Sequence, residues 1–411
     1  MFLSDRSKYA LNPIEEEDAL AEKLAASGKK IIKLNRGDPP VYFPTPPYIL
    51  NAYIEALKEG KTTYTNATGV GNLKDAIRTR YKRMYRMSLK DEDIIVTQGV
   101  SEALMFLNSS LINEGDSAIL FKPYYPLYLP LLNLYGGKEI LERYDEGDAW
   151  NVHIDGLAGT LKTLRTEKKL DRVKYILITN PNNPTGTVLK REVLEELVSL
   201  ANEYGIFLVS DEIYDEIVYN GAKFTSVGEI AKGVPHMILN GASKDYDATG
   251  FRLGYALVPG EDEKSILLKS KFADFARVRL SANLPAQYAF TEGMVNTEGH
   301  ANAISAMVRE IESRVNYATA LLKENPYLEV VRPNGAFYLF PKVDMKSLRF
   351  KTDKELVDRL LMEEGVQLTR GSGFGAQSHV RIVSLPPQNI LEDAIGKLNA
   401  FCRKNASRRR R

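Results

Sequence analysis

The chain has 411 residues, of which 44% are hydrophobic and 26% charged, and this composition excludes a chain that is disordered throughout because it supplies a sizeable apolar core. No apolar run reaches the roughly 18 residues that a membrane-spanning helix needs, and the N-terminal MFLSDRSKYA lacks the features of a signal peptide. We therefore expect a soluble, cytoplasmic protein. The net charge is +2, but six positive charges lie in a C-terminal tail at Arg403, Lys404 and 408–411, which we interpret as a solvated end that binds no nucleic acid.

The cysteine and histidine content argues against a metal site. Cys402 is the only cysteine, so an intramolecular disulfide and a cysteine-based zinc or iron–sulfur site are both excluded. The four histidines are scattered along the chain without the spacing of a metal-binding motif. We predict no bound metal.

In chain order, the first distinctive segment is the proline-rich GDPPVYFPTPP at 37–47, which predicts an extended connection because it suits neither a helix nor a central strand. Seven short apolar runs follow, separated by helical patterns such as 101–112 and 190–205. They predict strands of one sheet, mostly parallel because the runs are apolar throughout. These runs are 93–99, 117–123, 138–142, 175–180, 206–212, 237–243 and 253–259.

The region after Pro285 has a different pattern. It is mostly helical over 286–326, and strand-like segments follow at 329–343, 366–375 and 379–385. The fold class is therefore α/β, with a seven-stranded, mostly parallel sheet flanked by helices and a smaller α+β domain formed by the N-terminal segment and the C-terminal third. We expect boundaries at 1–45 for the N-terminal segment of the small domain, 46–295 for the large domain and 296–411 for the C-terminal small domain.

Five of the seven predicted strands end in polar or aromatic groups, at the edge where open parallel sheets bind ligands. After the first, Gly99 precedes a helix start at Val100 and Ser101, which suits a phosphate but also fits an ordinary turn. After the second, Tyr124 and Tyr125 lie beside prolines and could stack on a planar cofactor or pack in the core.

The next two strand ends carry amides and a carboxylate. NPNNPTG at 180–186 predicts a rigid turn with asparagine side chains held outward, in either a binding or a structural role. Asp211 ends an apolar strand, with Tyr214 three residues later. A buried carboxylate needs a partner, and a protonated ring nitrogen would serve; the alternative is a helix N-cap.

A lysine follows the sixth predicted strand. Burial lowers the pKa of a lysine and turns it into a nucleophile and a base, so Lys244 is a catalytic candidate, although most lysines are solvated surface charges. Ser243 precedes it, and Arg252 suits a phosphate or a carboxylate. A phosphate site, a stacking ring, an aspartate and a lysine together are the complement of pyridoxal 5′-phosphate.

Three motifs carry a family resemblance over nearly the whole chain: NPNNPTG at 180–186, SDEIY at 210–214, and SK with TGFRLGY between 243 and 255. In this order and spacing, the sequence resembles the pyridoxal-phosphate-dependent class I/II aminotransferases, which have the aspartate aminotransferase fold (fold type I). GVSEA, YYPLY, LNGASK and RLSANLPAQYA most resemble the alanine (glutamate–pyruvate) aminotransferase subgroup.

The resemblance implies roles for individual residues. Lys244 would bind the aldehyde of the cofactor, Asp211 its pyridine nitrogen, and Tyr214 together with Asn183 its ring oxygen. Tyr125 would stack on the ring. The residues implied to hold the phosphate are Val100, Ser101, Ser243, Arg252 and, from the neighbouring subunit of a homodimer, Tyr64; those implied to bind the substrate are Gly37, Asn183 and Arg381.

The resemblance predicts an aminotransferase that moves an amino group from an L-amino acid to a 2-oxo acid by a ping-pong mechanism, with alanine and 2-oxoglutarate the favoured pair. The alternatives are an aspartate or broad-specificity aminotransferase, a C–S β-lyase that uses the same cofactor, and a cofactor-binding regulator. One departure concerns Arg36, which stands where relatives commonly have an aliphatic residue. It could bind the distal carboxylate of glutamate or form an ordinary ion pair.

Overall fold

The computed structural model describes residues 2–10 and 16–406 of the chain. The basic residues 408–411 of the tail therefore lie outside the described residues. Within the described ranges, the elements are a large eight-stranded sheet, three small sheets and helices that pack on them. No helix in those ranges is both long and apolar enough to cross a membrane.

The helices alternate with strands through the first two thirds of the chain and then dominate it. They are α1 Glu16–Ala26, α2 Pro47–Lys58, α3 Gly71–Tyr85, α4 Val100–Leu111, α5 Tyr128–Leu134, α6 Ile154–Thr166, α7 Arg191–Tyr204, α8 Val227–Ile230, α9 Glu263–Arg279, α10 Leu284–Val295, α11 Thr297–Lys323, α12 Met345–Leu348, α13 Asp353–Glu364 and α14 Gln388–Asn405. The predicted helices at 101–112, 190–205 and 286–326 are confirmed as α4, α7 and the pair α10 and α11.

The strands are β1 Ile32–Lys33, β2 Ile94–Thr97, β3 Ser117–Lys122, β4 Lys138–Asp145, β5 Asn151–Val152, β6 Val173–Thr179, β7 Phe207–Asp211, β8 His236–Gly241, β9 Gly254–Leu257, β10 Leu328–Glu329, β11 Tyr338–Leu339, β12 Lys342–Val343, β13 Val366–Gln367, β14 Thr369–Arg370 and β15 Val380–Val383. The large sheet has the order β2-β9-β8-β7-β6-β3-β4-β5. It contains all seven predicted strands.

The prediction of seven strands falls one short, because β5 adds an eighth at the edge of the sheet. β5 pairs antiparallel with β4, with Val152 opposite Tyr144, and two residues are too few to give a periodic pattern. The sheet is mostly parallel, as predicted: β4, β3, β6, β7 and β8 all pair in parallel. β9 is antiparallel to both β2 and β8, so β2 runs in the same direction as the parallel group.

The apolar strands are buried because helices cover both faces of the sheet. Successive residues contribute to different clusters: Leu177 and Val209 pack on the side of α4 and α9, whereas Ile176 and Leu208 pack on the side of α6 and α7. A strand that is covered on both faces has no polar side to alternate with. This arrangement accounts for the continuous apolar runs in the sequence.

The N-terminal segment joins the C-terminal part of the chain. β1 pairs parallel with β13, with Ile32 opposite Val366, and Ile32 and Leu34 share a buried cluster with residues of α13 and α14. The predicted strand over 329–343 is instead three two-residue strands, β10 to β12, because the proline and the glycine of RPNG and the proline at 341 interrupt it. The connection at 37–47 contains one short 3₁₀ turn, Pro39–Val41, and ends where α2 begins.

Candidate active site

A cavity of about 400 Å³ opens where β2, β3, β6, β7 and β8 end. These five strands run in the same direction, so the polar groups that follow them meet at one edge of the sheet. Of the predicted site residues, all but Tyr64 line the cavity: Gly37, Val100, Ser101, Tyr125, Asn183, Asp211, Tyr214, Ser243, Lys244, Arg252 and Arg381. The last of these lies on β15, in a separate three-stranded sheet.

Lys244 follows β8 and is partly buried in this cavity. Its Nζ donates a hydrogen bond of 2.6 Å to the carbonyl oxygen of Gly37 and lies 5.8 Å from the centre of the Phe337 ring. Burial lowers the pKa of Lys244 to about 8, in spite of the opposing effect of Asp38. A lysine with such a pKa supplies a neutral, nucleophilic amine close to physiological pH.

Asp211 is the last residue of β7, and only 5% of it is exposed. Its Oδ2 accepts a hydrogen bond of 2.6 Å from the Tyr128 hydroxyl, and its Oδ1 accepts one of 3.3 Å from the backbone N–H of Ile213. Burial nevertheless raises the pKa of Asp211 to about 6. A cationic partner in the cavity would favour the charged carboxylate.

The start of α4 and Arg252 lie together in the lining of the cavity. Gly99, with φ 76°, precedes the helix, and a Cβ atom added there would lie 2.8 Å from Nη2 of Arg252. Glycine therefore lets the guanidinium pack against the helix start, and Arg252 also donates to the carbonyl of Thr249 at 2.9 Å. Val100, Ser101 and Ser243 line the same side. A helix N-terminus beside a guanidinium suits a phosphate.

Aromatic side chains also line the cavity. Tyr125 is partly buried and meets Tyr128 edge to face, with the ring centres 5.4 Å apart. Tyr214 is 3% exposed, and its hydroxyl lies 2.9 Å from that of Tyr338. Burial raises the pKa of Tyr214 well above its usual value, so this hydroxyl keeps its proton and can donate a hydrogen bond.

Arg381 lies deepest of the predicted substrate-binding residues, with 2% exposure. Its guanidinium carbon lies 4.7 Å from the Phe374 ring centre and 4.8 Å from that of Tyr338, while Nη1 donates to Oδ1 of Asn183 at 3.0 Å. Its Nε is buried without a hydrogen-bond partner among residues 2–10 and 16–406. A guanidinium that is held rigidly and incompletely satisfied is suited to a carboxylate ligand.

Gly37 and Tyr64 differ from the other predicted site residues, because one contributes only backbone to the cavity and the other does not line it. Gly37 supplies backbone only, and glycine is required because a Cβ atom there would lie 2.4 Å from the Tyr338 hydroxyl oxygen. Tyr64 does not join the cavity; it lies on the segment between α2 and α3 and is 79% exposed. The role expected for it in a neighbouring subunit stays a prediction.

Some residues that line the cavity were not predicted from the sequence. Tyr128 contacts Asp211, and its hydroxyl lies 2.8 Å from Oγ1 of Thr179. The motif YYPLY contains Tyr128, and Thr179 immediately precedes NPNNPTG, so both had a signal in the sequence. No motif in the sequence pointed to Tyr338, since its contact with Tyr214 spans 124 residues of the chain.

Arg36 forms an ion pair, which was one of the two alternatives for this residue. Its Nε donates to Oδ2 of Asp18 on α1 at 3.0 Å, and a second guanidinium nitrogen reaches the same oxygen. Arg36 also lines the cavity, and 61% of its side chain is exposed. The same residue therefore forms the ion pair and lines the cavity.

A second acidic group is buried directly beside Lys244. Asp245 is 3% exposed, and burial followed by the charge of Asp215 raises its pKa well above the usual range. Asp215 itself accepts hydrogen bonds of 2.9 and 3.1 Å from Arg80. Burial and the neighbouring charge of Asp215 therefore both favour the neutral form of Asp245.

Comparison with known proteins agrees with this architecture. Residues 29–398 match the family described as aminotransferase class I and II. The chain is 34% identical over 392 residues to the glutamate–pyruvate aminotransferase of Haemophilus influenzae, covering 95% of this chain and 94% of that protein. It is also 34% identical over 392 residues to the aspartate aminotransferase of Bacillus subtilis, covering 94% and 95%.

A solved structure gives the same result. The alanine aminotransferase of Pyrococcus furiosus superimposes with a TM-score of 0.91 at 36% identity, covering 98% of this chain and 100% of that one. The matches span nearly the full length of every protein compared. The chain therefore belongs to the class I and II aminotransferase family, whose enzymes depend on pyridoxal phosphate.

Proposed function

We propose that the enzyme transfers an amino group between L-alanine and 2-oxoglutarate, with pyridoxal 5′-phosphate bound in the cavity at the ends of β2, β3, β6, β7 and β8. The observation that carries the proposal is the partly buried Lys244, which shares this cavity with the buried Asp211 and Arg381. Alanine is favoured because relatives from Haemophilus influenzae and Pyrococcus furiosus carry that activity in their names.

The residues present fit this cofactor. A carboxyl whose pKa burial raises to about 6 gains from a protonated ring nitrogen, and an amine whose pKa burial lowers to about 8 is suited to attack an aldehyde. The glycine at 99 leaves room for a guanidinium beside a helix N-terminus, as a phosphate requires. The residues that would hold the cofactor are Lys244 at the aldehyde, Asp211 at the ring nitrogen, Tyr214 and Asn183 at the ring oxygen, Tyr125 on the ring face, and Val100, Ser101, Ser243 and Arg252 at the phosphate.

The chemistry that pyridoxal phosphate supplies is an electron sink for the pair left on the substrate α-carbon when its proton is removed. Lys244 Nζ accepts that proton as a neutral amine and later returns it. A pKa of about 8 makes both the neutral and the charged amine accessible near neutral pH. Asp211 supplies negative charge opposite the ring nitrogen, and Tyr128 orients its carboxylate.

Arg381 binds the α-carboxylate of the substrate in this proposal, together with Asn183 and the backbone at Gly37. The contacts with Phe374 and Tyr338 hold the guanidinium in place before the substrate arrives, which reduces the ordering that binding requires. We propose that 1–45 and 296–411 form one small domain, which closes on the large domain 46–295 and excludes water from the proton transfer.

We also propose a homodimer in which Tyr64 reaches the phosphate of the neighbouring subunit. Its 79% exposure leaves the hydroxyl accessible to a second chain, and α2 carries the exposed apolar residues Leu50, Ile54 and Leu57 close to it in the sequence. An exposed apolar surface of this kind is typical of a subunit interface.

The test is a comparison of amino donors with 2-oxoglutarate as the acceptor, in the presence of pyridoxal phosphate. We expect pyruvate and glutamate to form in equal amounts from alanine, with a higher kcat/KM than for aspartate, and no turnover by Lys244→Ala. The similarity to the Bacillus subtilis enzyme makes aspartate transamination the second candidate, and it would replace the first if aspartate were the better donor. Release of ammonia and a thiol from cystathionine without any transamination would favour a β-lyase.

A further inference from the structure

The position of Arg36 supports an inference about the 2-oxo acid substrate, and this inference rests on the proposed function. We infer that Arg36 determines specificity for dicarboxylic substrates by exchanging its contact with Asp18 for the distal carboxylate of the substrate. The substrate class is a four- or five-carbon amino or 2-oxo dicarboxylic acid.

The position of Arg36 in the chain puts it beside the substrate-binding groups. The preceding residue, Asn35, accepts a hydrogen bond from Arg381 at its carbonyl oxygen. The following residue, Gly37, accepts one from Lys244 at 2.6 Å. A substrate whose α-carboxylate meets Arg381 and whose amine meets Lys244 therefore has its α-carbon beside the backbone at 35–37, and Arg36 belongs to that same segment of the cavity lining.

The charges that line the cavity support the same assignment. Its cationic residues are Arg36, Lys244, Arg252 and Arg381. In the proposed function, Lys244 acts at the aldehyde, Arg252 at the phosphate and Arg381 at the α-carboxylate. A dicarboxylic substrate brings one further negative charge, and Arg36 is the remaining lining cation able to meet it with the forked geometry that suits a carboxylate.

Asp18 can release Arg36 at small cost. Two hydrogen bonds from the Arg36 guanidinium go to Oδ2 of Asp18, whereas Oδ1 accepts from Nδ2 of Asn35 at 2.8 Å and from Nε2 of Gln367 at 2.9 Å. Asp18 therefore keeps two donors when Arg36 turns towards a substrate. Exposed ion pairs are weak, and 61% of the Arg36 side chain is exposed, so replacing one carboxylate with another is feasible.

The experiment compares two unreactive inhibitors of equal chain length, glutarate and pentanoate, which differ only in the distal carboxylate. Their inhibition constants are measured on the cofactor-loaded enzyme, on Arg36→Gln and on the control Arg165→Gln. Arg165 also pairs with an acidic residue, Glu203, but on α6 and outside the cavity lining. Direct binding of the inhibitors by calorimetry gives a readout that does not depend on turnover.

We expect Arg36→Gln to raise the inhibition constant of glutarate by about 10- to 100-fold, as for the loss of a hydrogen bond between charged groups. The inhibition constant of pentanoate should not change. Arg165→Gln should alter neither. The same Arg36 variant should lower kcat/KM for 2-oxoglutarate while that for pyruvate stays within about twofold, because pyruvate has no distal carboxylate.

Equal weakening of both inhibitors by Arg36→Gln, or an unchanged glutarate constant, would overturn the inference. Asp18→Asn tests whether Asp18 competes with the substrate for Arg36 or is needed to position it. Glutarate binding that is unchanged or tighter agrees with the exchange. Binding weaker by tenfold or more would show that Asp18 must hold Arg36 in place, and would contradict the exchange. If the wild-type enzyme bound glutarate through Arg36 but failed to transaminate 2-oxoglutarate with alanine, the proposed function would fail and the inference would stand.

Discussion

Replacing Asp211 with asparagine should stabilise the cofactor-free protein and lower the turnover of the cofactor-loaded enzyme by about 100-fold or more. Burial raises the pKa of Asp211 from 3.8 to about 6, so the folded chain releases this proton at higher pH than the unfolded chain does. Stability is therefore lost as the pH rises between these two values, and the loss is complete above the folded pKa. At about 1.4 kcal/mol per pKa unit, the ionised carboxylate costs about 1.6 kcal/mol at pH 5 and about 3 kcal/mol at pH 8.

Asparagine has no charge to bury, and its side-chain oxygen can still accept from Tyr128. Urea unfolding of the cofactor-free proteins should show Asp211→Asn more stable than the wild type, by up to about 3 kcal/mol at pH 8 and by less at pH 5. Added pyridoxal phosphate should raise the unfolding midpoint of the wild type more than that of the variant, and turnover should fall by about 100-fold or more.

Asp116 is a matched control, because its pKa is shifted in the opposite direction and its substitution should change stability in the opposite direction. Asp116 is also buried, but hydrogen bonds from the backbone of Asn113 and the charge of Lys174 outweigh burial and lower its pKa. Asp116→Asn should therefore destabilise the protein at pH 8. A variant of Asp211 that is less stable than the wild type at pH 8, or whose gain does not change with pH, would refute the reasoning.

Substitutions at three further positions, Arg381, Gly99 and Asp245, test other parts of the structure. Arg381→Lys keeps the charge but loses the forked guanidinium that can bind both oxygens of a carboxylate. We therefore expect kcat/KM to fall by about 100-fold with little change in thermal stability. An unchanged kcat/KM would contradict the role of Arg381 in binding the substrate α-carboxylate. Gly99→Ala should weaken pyridoxal phosphate binding by about tenfold through Arg252, whereas Gly115→Ala, which also has positive φ but open space around it, should cost stability only; equal cofactor affinity in both would contradict this. Asp245→Asn should leave stability and turnover near wild type because burial and the charge of Asp215 favour the neutral form of Asp245, while Asp245→Leu should cost about 1–3 kcal/mol by placing an apolar side chain beside the buried carboxylate of Asp215; a large loss in the asparagine variant would show that Asp245 is ionised.

The sequence predicted the large sheet well because its strands are continuous apolar runs. Residues such as Leu177 and Leu208 are buried whichever face they point to, so the pattern signals a strand without any knowledge of its neighbours. The sequence missed β5, which is two residues long and depends on its pairing with β4.

The C-terminal region was predicted less accurately, because its strands are short pieces stabilised by tertiary contacts. β11 pairs with β15, but the residues around it carry prolines and glycine that hide the strand pattern. The same reasoning applies to Tyr338: nothing near it in the sequence indicates that its hydroxyl meets that of Tyr214.

The site itself was predictable where its residues directly follow strands. Lys244, Asp211 and Asn183 each come within four residues of a strand end, so the topology alone brings them together. The pairing of Arg36 with Asp18 was not predictable, because it depends on how α1 packs beside β1 and β13.

The central claim is that Lys244 carries the cofactor. The most direct measurement is to add pyridoxal phosphate to the protein, reduce with borohydride, digest with protease and locate the pyridoxyl group by mass spectrometry. We expect one modified residue per chain, at Lys244, and no modification at any site in Lys244→Ala. A pyridoxyl group found on another lysine under the same conditions, with Lys244 unmodified, would contradict it.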